Sequence, residues 1–169
     1  MACLFRLCCA QKQKQSQDPD FSEVVWKNTT PFVPPVTGGK VIKVYDGDTI
    51  TIATTLPFAD ENKNTVWRFS TRLNGIDCPE IKGKCESEKR VAQIAKEKLS
   101  DLILNKTVEL KDVQMEKYGR LLATVVYNNK NLNEWMVEQR LAVRYDGGTK
   151  ECPDDWEVFY NTGRSQVTI

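Results

Sequence analysis

From Lys40 onward the chain alternates apolar and polar residues in short runs. Val41-Ile42-Lys43-Val44-Tyr45 and Thr49-Ile50-Thr51-Ile52 are strand-like and are joined by the acidic, glycine-containing turn Asp46-Gly47-Asp48, which predicts a hairpin. Ile50 and Ile52 share a face, and the period of two puts Asp48 on that same face, a carboxylate at the mouth of an apolar row. Trp67, Phe69, Thr71 and Leu73 alternate with Arg68, Ser70, Arg72 and Asn74 and predict a third strand. The apolar parity then slips to Ile76 across Gly75, predicting a bend that re-aims the side chains of Asp77-Cys78-Pro79-Glu80. Between Glu86 and Leu104 an apolar stripe of Val91, Ala95, Leu99 and Leu102 opposes Lys89, Arg90, Glu97 and Lys98, a helix ending near Asn105. Thr107–Val113 and Arg120–Tyr127 predict two strands around Glu116-Lys117-Tyr118-Gly119, and Asn131-Leu-Asn-Glu134 opens a second helix with Leu132, Trp135 and Met136 inward. Three strands, a helix, two strands and a helix give a mainly β, α+β fold: a five-stranded OB-fold barrel whose open end the first helix plugs.

Three segments follow from the same pattern. Residues 1–39 are a flexible, cysteine-containing tail and linker, with a glutamine- and lysine-rich stretch at 11–17 and a Thr, Pro and Gly-rich one at 29–39. Residues 40–150 form the folded domain, and 151–169 an irregular extension, in which Pro153-Asp-Asp-Trp156 opens one short helical turn and Trp156 and Phe159 pack back on the barrel. The whole length, 169 residues, suits one domain.

Composition narrows the chemistry. With 24 Lys plus Arg against 23 Asp plus Glu the net charge is +1, so there is no global polycation. Zero histidines exclude Ser-His-Asp and Cys-His nucleophile pairs, His-ligated zinc and an imidazole base. The cysteines form no C-x-x-C pair, which argues for reduced thiols. Cys3, Cys8 and Cys9 lie beside Leu4, Phe5 and Leu7 and ahead of Lys12 and Lys14, a pattern suited to S-acylation at an anionic membrane and equally to a plain disordered tail. Ala2 excludes myristoylation, and the opening stretch is too short for a membrane span or a signal peptide. The expectation is an intracellular monomer, whose tail either associates with a membrane through S-acylated Cys3, Cys8 and Cys9 or is simply disordered.

Four separated places carry polar residues that local structure does not require: Asp46 with Asp48, Arg72, Asp77 with Glu80, and Arg120 after Lys117-Tyr118-Gly119. Singly, each reads as an ordinary turn or an outward strand residue. Together they make chemical sense. Asp48 and Asp77 are hard oxygen ligands for a Ca²⁺ or Mg²⁺-like ion, with a backbone carbonyl of the bent Asp77-Cys78 segment. Two guanidiniums can clamp a phosphate bidentately, and Glu80 is left to orient or deprotonate a water. Those parts suffice for phosphodiester hydrolysis without histidine.

The runs Val41-Ile-Lys-Val-Tyr-Asp-Gly-Asp-Thr-Ile50, Arg72-Leu-Asn-Gly-Ile-Asp-Cys-Pro-Glu80, Lys117-Tyr-Gly-Arg-Leu-Leu-Ala123 and Leu132-Asn-Glu-Trp-Met-Val-Glu-Gln-Arg-Leu-Ala142 resemble the staphylococcal nuclease family, in order, from Lys40 to about Tyr145. The resemblance implies a Ca²⁺-dependent OB-fold nuclease that cuts DNA and RNA, single strands preferred, on the 5′-oxygen side to leave 3′-phosphates. Asp48 and Asp77 match its metal carboxylates, and Cys78 stands where a backbone carbonyl completes the shell, replacing the Thr of the best-known member. Asp46 and Thr49 match positions that orient ligands or reach the ion through water. Arg72 and Arg120 match the phosphate-binding arginines and Glu80 the general base; Lys117, Tyr118 and Tyr145 match substrate-binding positions. After Ala142 the match fades, and the family's long final helix is not evident. The implied loss on Arg72→Ala or Arg120→Ala is orders of magnitude in turnover with the fold intact. Two rivals stand beside this reading: a non-catalytic module of the same fold, and a membrane-tethered adaptor acting through its tail.

Overall fold

A computed structural model describes residues 20–58, 65–148 and 152–165. The expected acylation sites Cys3, Cys8 and Cys9 lie outside them. Contacts divide the chain into two units, 1–31 and 32–169. In the first, Trp26–Asn28 make a short 3-10 turn with no buried residue, closed by Asn28, whose side chain accepts from the Val25 N–H and donates to the Glu23 carbonyl.

The second unit is a closed barrel. Its strands are β1 (Gly38–Val44), β2 (Thr49–Thr55) and β3 (Val66–Leu73), a two-residue β4 (Ile76–Asp77), then, after helix α1 (Glu86–Ile103), β5 (Thr107–Met115) and β6 (Leu121–Tyr127). A short β7 (Lys130–Asn131), helix α2 (Leu132–Glu138), β8 (Val143–Arg144) and helix α3 (Trp156–Thr162) follow. The sheet runs β3-β2-β1-β5-β6, and β6 returns to pair with β3, so five strands close on one another. That seam is parallel, Thr71–Leu73 against Leu121–Ala123, whereas the other barrel pairings are antiparallel. Register slips between Val41 and Lys43 in β1, and between Lys111 and Gln114 in β5, supply the local twist that curls a flat sheet into a tube.

Alternation did what the pattern predicts. Ile50 and Ile52 of β2, and Leu121, Ala123 and Val125 of β6, point inward and are fully buried. Val91, Ala95, Leu99 and Ile103, one side of α1, face the same core. Val36, ahead of β1, is also part of it.

The C-terminal extension is more regular than the one short helical turn expected, while Trp156 and Phe159 pack on the core as read. It carries a two-turn helix, α3, whose first N–H groups at Glu157 and Val158 donate to the Asp155 carboxylate and whose end is set by Gly163 at φ +78°. Trp156 is buried and meets Phe159 edge-on with ring centroids 5.9 Å apart. Arg90 of α1 donates to Glu157 at 2.6 Å, tying α3 to α1.

Candidate active site

The β1–β2 turn is held by its own backbone. The Tyr45 N–H donates to the Thr49 carbonyl at 2.8 Å, and the Asp48 N–H donates to the Asp46 carboxylate at 3.3 Å. Gly47 is required by proximity: a Cβ there would stand 2.9 Å from both the Ala95 methyl and the Cys78 sulfur. The turn therefore lies directly on α1 and on the Asp77-Cys78 segment, which fixes Asp48 against the barrel mouth.

Across the sheet Thr49 pairs with Arg72, and the Leu73 N–H donates to the Asp48 carbonyl at 2.8 Å. Gly75, at φ +77°, turns the chain back so that Ile76-Asp77 forms β4. The result is one ionic cluster. The Arg72 guanidinium donates through one terminal nitrogen to Asp48 at 2.5 Å, and through the other to Asp77 at 2.9 Å and the Ile76 carbonyl at 3.3 Å. Both carboxylates are buried, and the Thr49 hydroxyl donates to the second oxygen of Asp48 at 2.8 Å. Asp46 and Thr49 thus act on Asp48, one through its N–H and one through its carboxylate.

Electrostatics follow from this packing. Burial pushes the Asp48 carboxyl from 3.8 up to about 7, further than Arg72 pulls it down, with Asp46 adding to the rise. Burial works against the charge of Arg72 as well, but the two carboxylates outweigh it and raise it. The Cys78 thiol is pushed up by burial and by Asp48, Asp46 and Asp77, so it stays protonated. Its sulfur packs beside Gly47.

The cluster opens into a cleft of about 840 Å³. Asp46, Asp48, Arg72, Cys78, Glu80, Lys117, Tyr118, Arg120 and Tyr145 all line it, so nine of the eleven residues singled out from the sequence share one cavity; Asp77 and Thr49 lie just behind, bonded to Arg72 and Asp48. The opposite wall is the β5–β6 turn. There the Glu116 N–H donates to the Arg120 carbonyl at 3.0 Å, and Gly119 takes φ +78°. Tyr118 is 72% exposed, with Lys117 and Arg120 over its ring at 5.0 and 6.0 Å. Tyr145 is set by its N–H, which donates to the Gly75 carbonyl at 3.0 Å beside the β4–β8 pairing.

Two contributors escaped the sequence reading. Glu116 forms an ion pair with Arg120 through Nε alone, leaving the terminal nitrogens as donors. Asn133 is buried on α2, accepts from the Val125 N–H at 2.9 Å, and donates to the carbonyls of Asn74 at 2.7 Å and Ala123 at 3.1 Å, pinning the turn behind Arg72. Glu116 reads locally as a turn residue and Asn133 as a capping neighbour; only the fold brings either to its partner.

As to a metal, no group of three or more His, Cys, Asp or Glu that could hold one occurs among the described residues. Two buried carboxylates converging on one cation, here the Arg72 guanidinium, fit a hard divalent ion that keeps most of its water, and not a closed thiolate cage.

Comparison with known proteins gives a consistent picture. The profile of staphylococcal nuclease homologues matches residues 70–162. An uncharacterised endonuclease of Haemophilus influenzae is 36% identical over 106 residues, 63% of this chain and 51% of that protein. Micrococcal nuclease of Shigella flexneri is 29% identical over 117 residues, 63% of this chain and 58% of that protein. The chain thus spans about half the length of these curated relatives.

Proposed function

The chain belongs to the family of staphylococcal nuclease homologues, and from that premise we propose that it is a metal-dependent endonuclease hydrolysing phosphodiester bonds of DNA and RNA. The observation that carries the reading is the Asp48–Arg72–Asp77 cluster, open to a cleft whose far wall presents Arg120. Asp48, Asp77 and the Cys78 carbonyl would hold a hard divalent cation, calcium by the resemblance. When bound, that cation supplies positive charge that stabilises the phosphate oxygens and the departing oxygen.

The protein's own groups supply the remainder. Arg72 and Arg120 each keep N–H donors beyond their carboxylate bonds, and a planar guanidinium suits the charge that builds on a phosphate as water attacks. Glu80, exposed at the cleft, accepts a proton from that water and orients its lone pair in line with the phosphorus. The bond to the 5′-oxygen breaks and a 3′-phosphate remains. Tyr118 and Tyr145 offer ring faces on which unpaired bases stack, which favours single strands. The protein works as a monomer, and the cysteines of its tail anchor it to a membrane by S-acylation.

The charge around the cleft supports a requirement for an ion. Asp46, Asp48, Glu80, Glu116 and Asp146 line it against Arg72, Lys117 and Arg120, five carboxylates to three cations. A polyanion enters that wall poorly until a divalent ion offsets the excess. Digestion of single-stranded DNA and of RNA with Ca²⁺, Mg²⁺ or EDTA, with the product ends identified, tests the proposal. Cleavage with Ca²⁺ to 3′-phosphate ends is expected; intact polynucleotide under every divalent ion would overturn it.

A further inference from the structure

Glu88 stands in the first turn of α1, three positions after the N-cap residue Cys85. A glutamate at that place ordinarily folds back onto the N–H of its own N-cap. Here it reaches past it. One carboxylate oxygen accepts from the Lys84 N–H at 3.1 Å, and the other accepts from the Glu80 N–H at 3.2 Å, eight residues upstream. Between those anchors the Gly83 N–H donates to the Glu80 carbonyl at 2.8 Å, so residues 80–84 form a small closed loop with the Glu88 carboxylate against it.

Gly83 shows how tightly that carboxylate is seated. A Cβ at this position would fall 2.3 Å from one Glu88 oxygen and 2.8 Å from the Glu80 carbonyl oxygen. On the other side of Glu80 the chain is fixed by burial, since Asp77, Cys78 and Pro79 are all buried and the pyrrolidine ring restricts Pro79. Glu80 is therefore the first exposed residue after a buried anchor, and its own N–H is the point at which Glu88 holds the chain.

Resting on the reading of Glu80 as general base, we propose that Glu88 is a positioning residue for catalysis: its carboxylate clamps the 80–84 loop so that Glu80 meets the attacking water in the cleft. Helix capping alone does not account for it, because neither of its two partners is the N-cap N–H. The bidentate geometry sets the specificity of the role. Both oxygens are used as acceptors, so the amide of glutamine can replace only one bond.

The test is a double-mutant cycle with steady-state kinetics on single-stranded DNA in Ca²⁺, together with amide hydrogen exchange on the full chain. Glu88→Ala is expected to lower kcat about 10- to 100-fold, the scale on which misplacing a reacting group acts, with KM within about twofold of the parent. Glu88→Gln should fall between, and amides 80 and 84 should exchange faster in both. Gly83→Ala, whose Cβ would press on the Glu88 carboxylate and on the Glu80 carbonyl alike, should also lower kcat and loosen amides 80 and 84. In a Glu80→Gln background, Glu88→Ala should cost little more. A full, additive loss in that background would overturn the proposal, as would unchanged kcat in Glu88→Ala with amides 80 and 84 demonstrably loosened. If Glu80→Gln alone turns over like the parent, the general-base reading fails first and takes this inference with it, and that single variant tells the two failures apart.

Discussion

At the scale of single residues the site is organised by Arg72. One guanidinium bridges two buried carboxylates, so the side chain has a structural role beside its expected contact with phosphate. Arg72→Ala should lower turnover by orders of magnitude and also destabilise the ion-free fold by about 3 kcal/mol, because it removes the cation that both buried carboxylates bond. The sequence alone led to an intact fold for this variant. Denaturant titration in EDTA and in Ca²⁺ separates the effects, since an added cation should restore part of the lost stability. Asp48 gives a pH signature. Its carboxyl titrates at about 7 in the folded chain and at 3.8 unfolded, so between those values the native state holds the extra proton. Stability in EDTA should therefore fall as pH rises from about 4 through 7 and level off above, and Asp48→Asn should flatten that slope in melting curves.

At the scale of elements, the approach of the β1–β2 turn to α1 depends on the bare Cα of Gly47. Gly47→Ala pushes the turn away from Ala95 and Cys78, and should cost activity at least tenfold, more than its melting temperature would suggest, because Asp48 moves with the turn. Asn133 offers the complementary case. Asn133→Ala leaves the Val125 N–H and the Asn74 and Ala123 carbonyls without this partner, and should destabilise by about 2–3 kcal/mol in urea unfolding. The two positions differ in how far the sequence discloses them. Asp-Gly-Asp between two β-rich runs announces its turn, and the slip of parity at Gly75 announces the bend before Asp77. Strand alternation and the stripe of α1 are equally local and equally readable. Asn133, Glu116 and Glu88 draw their meaning from partners 8 to 59, 4 and 8 residues away across turns and elements, and no short-range period encodes such pairings. The start of α3 and its inward residues Trp156 and Phe159 were readable, but too few positions follow to show that the helix runs on to Thr162.

At the scale of the whole molecule the tail and the barrel are separable. Residues 32–169 form a contact unit of their own, and Val36 belongs to its core while Gly38–Lys40 pair with β5. A chain starting at Phe32 is expected to melt like the parent and to cut nucleic acid at the parent rate. One starting at Lys40, which loses Val36 and the Gly38 and Gly39 part of that pairing, should melt several degrees lower. A digest and a melting curve of both truncations check this, and loss of cutting by the 32–169 chain would instead support an activity that depends on the tail.

The parallel seam joins Thr71–Leu73 to Leu121–Ala123, strands separated by α1 and by all of β5. Arg72 sits in that seam. A nascent polypeptide that has exposed its first four strands already carries Asp48, Arg72 and Asp77, yet it has neither the stave that locks them side by side nor the wall that bears Arg120. Synthesis must proceed beyond Tyr127 before the two walls of the cleft can meet, so on the proposed reading no partly made chain on the ribosome could cut, and heat that opens the seam should take the site apart in the same event.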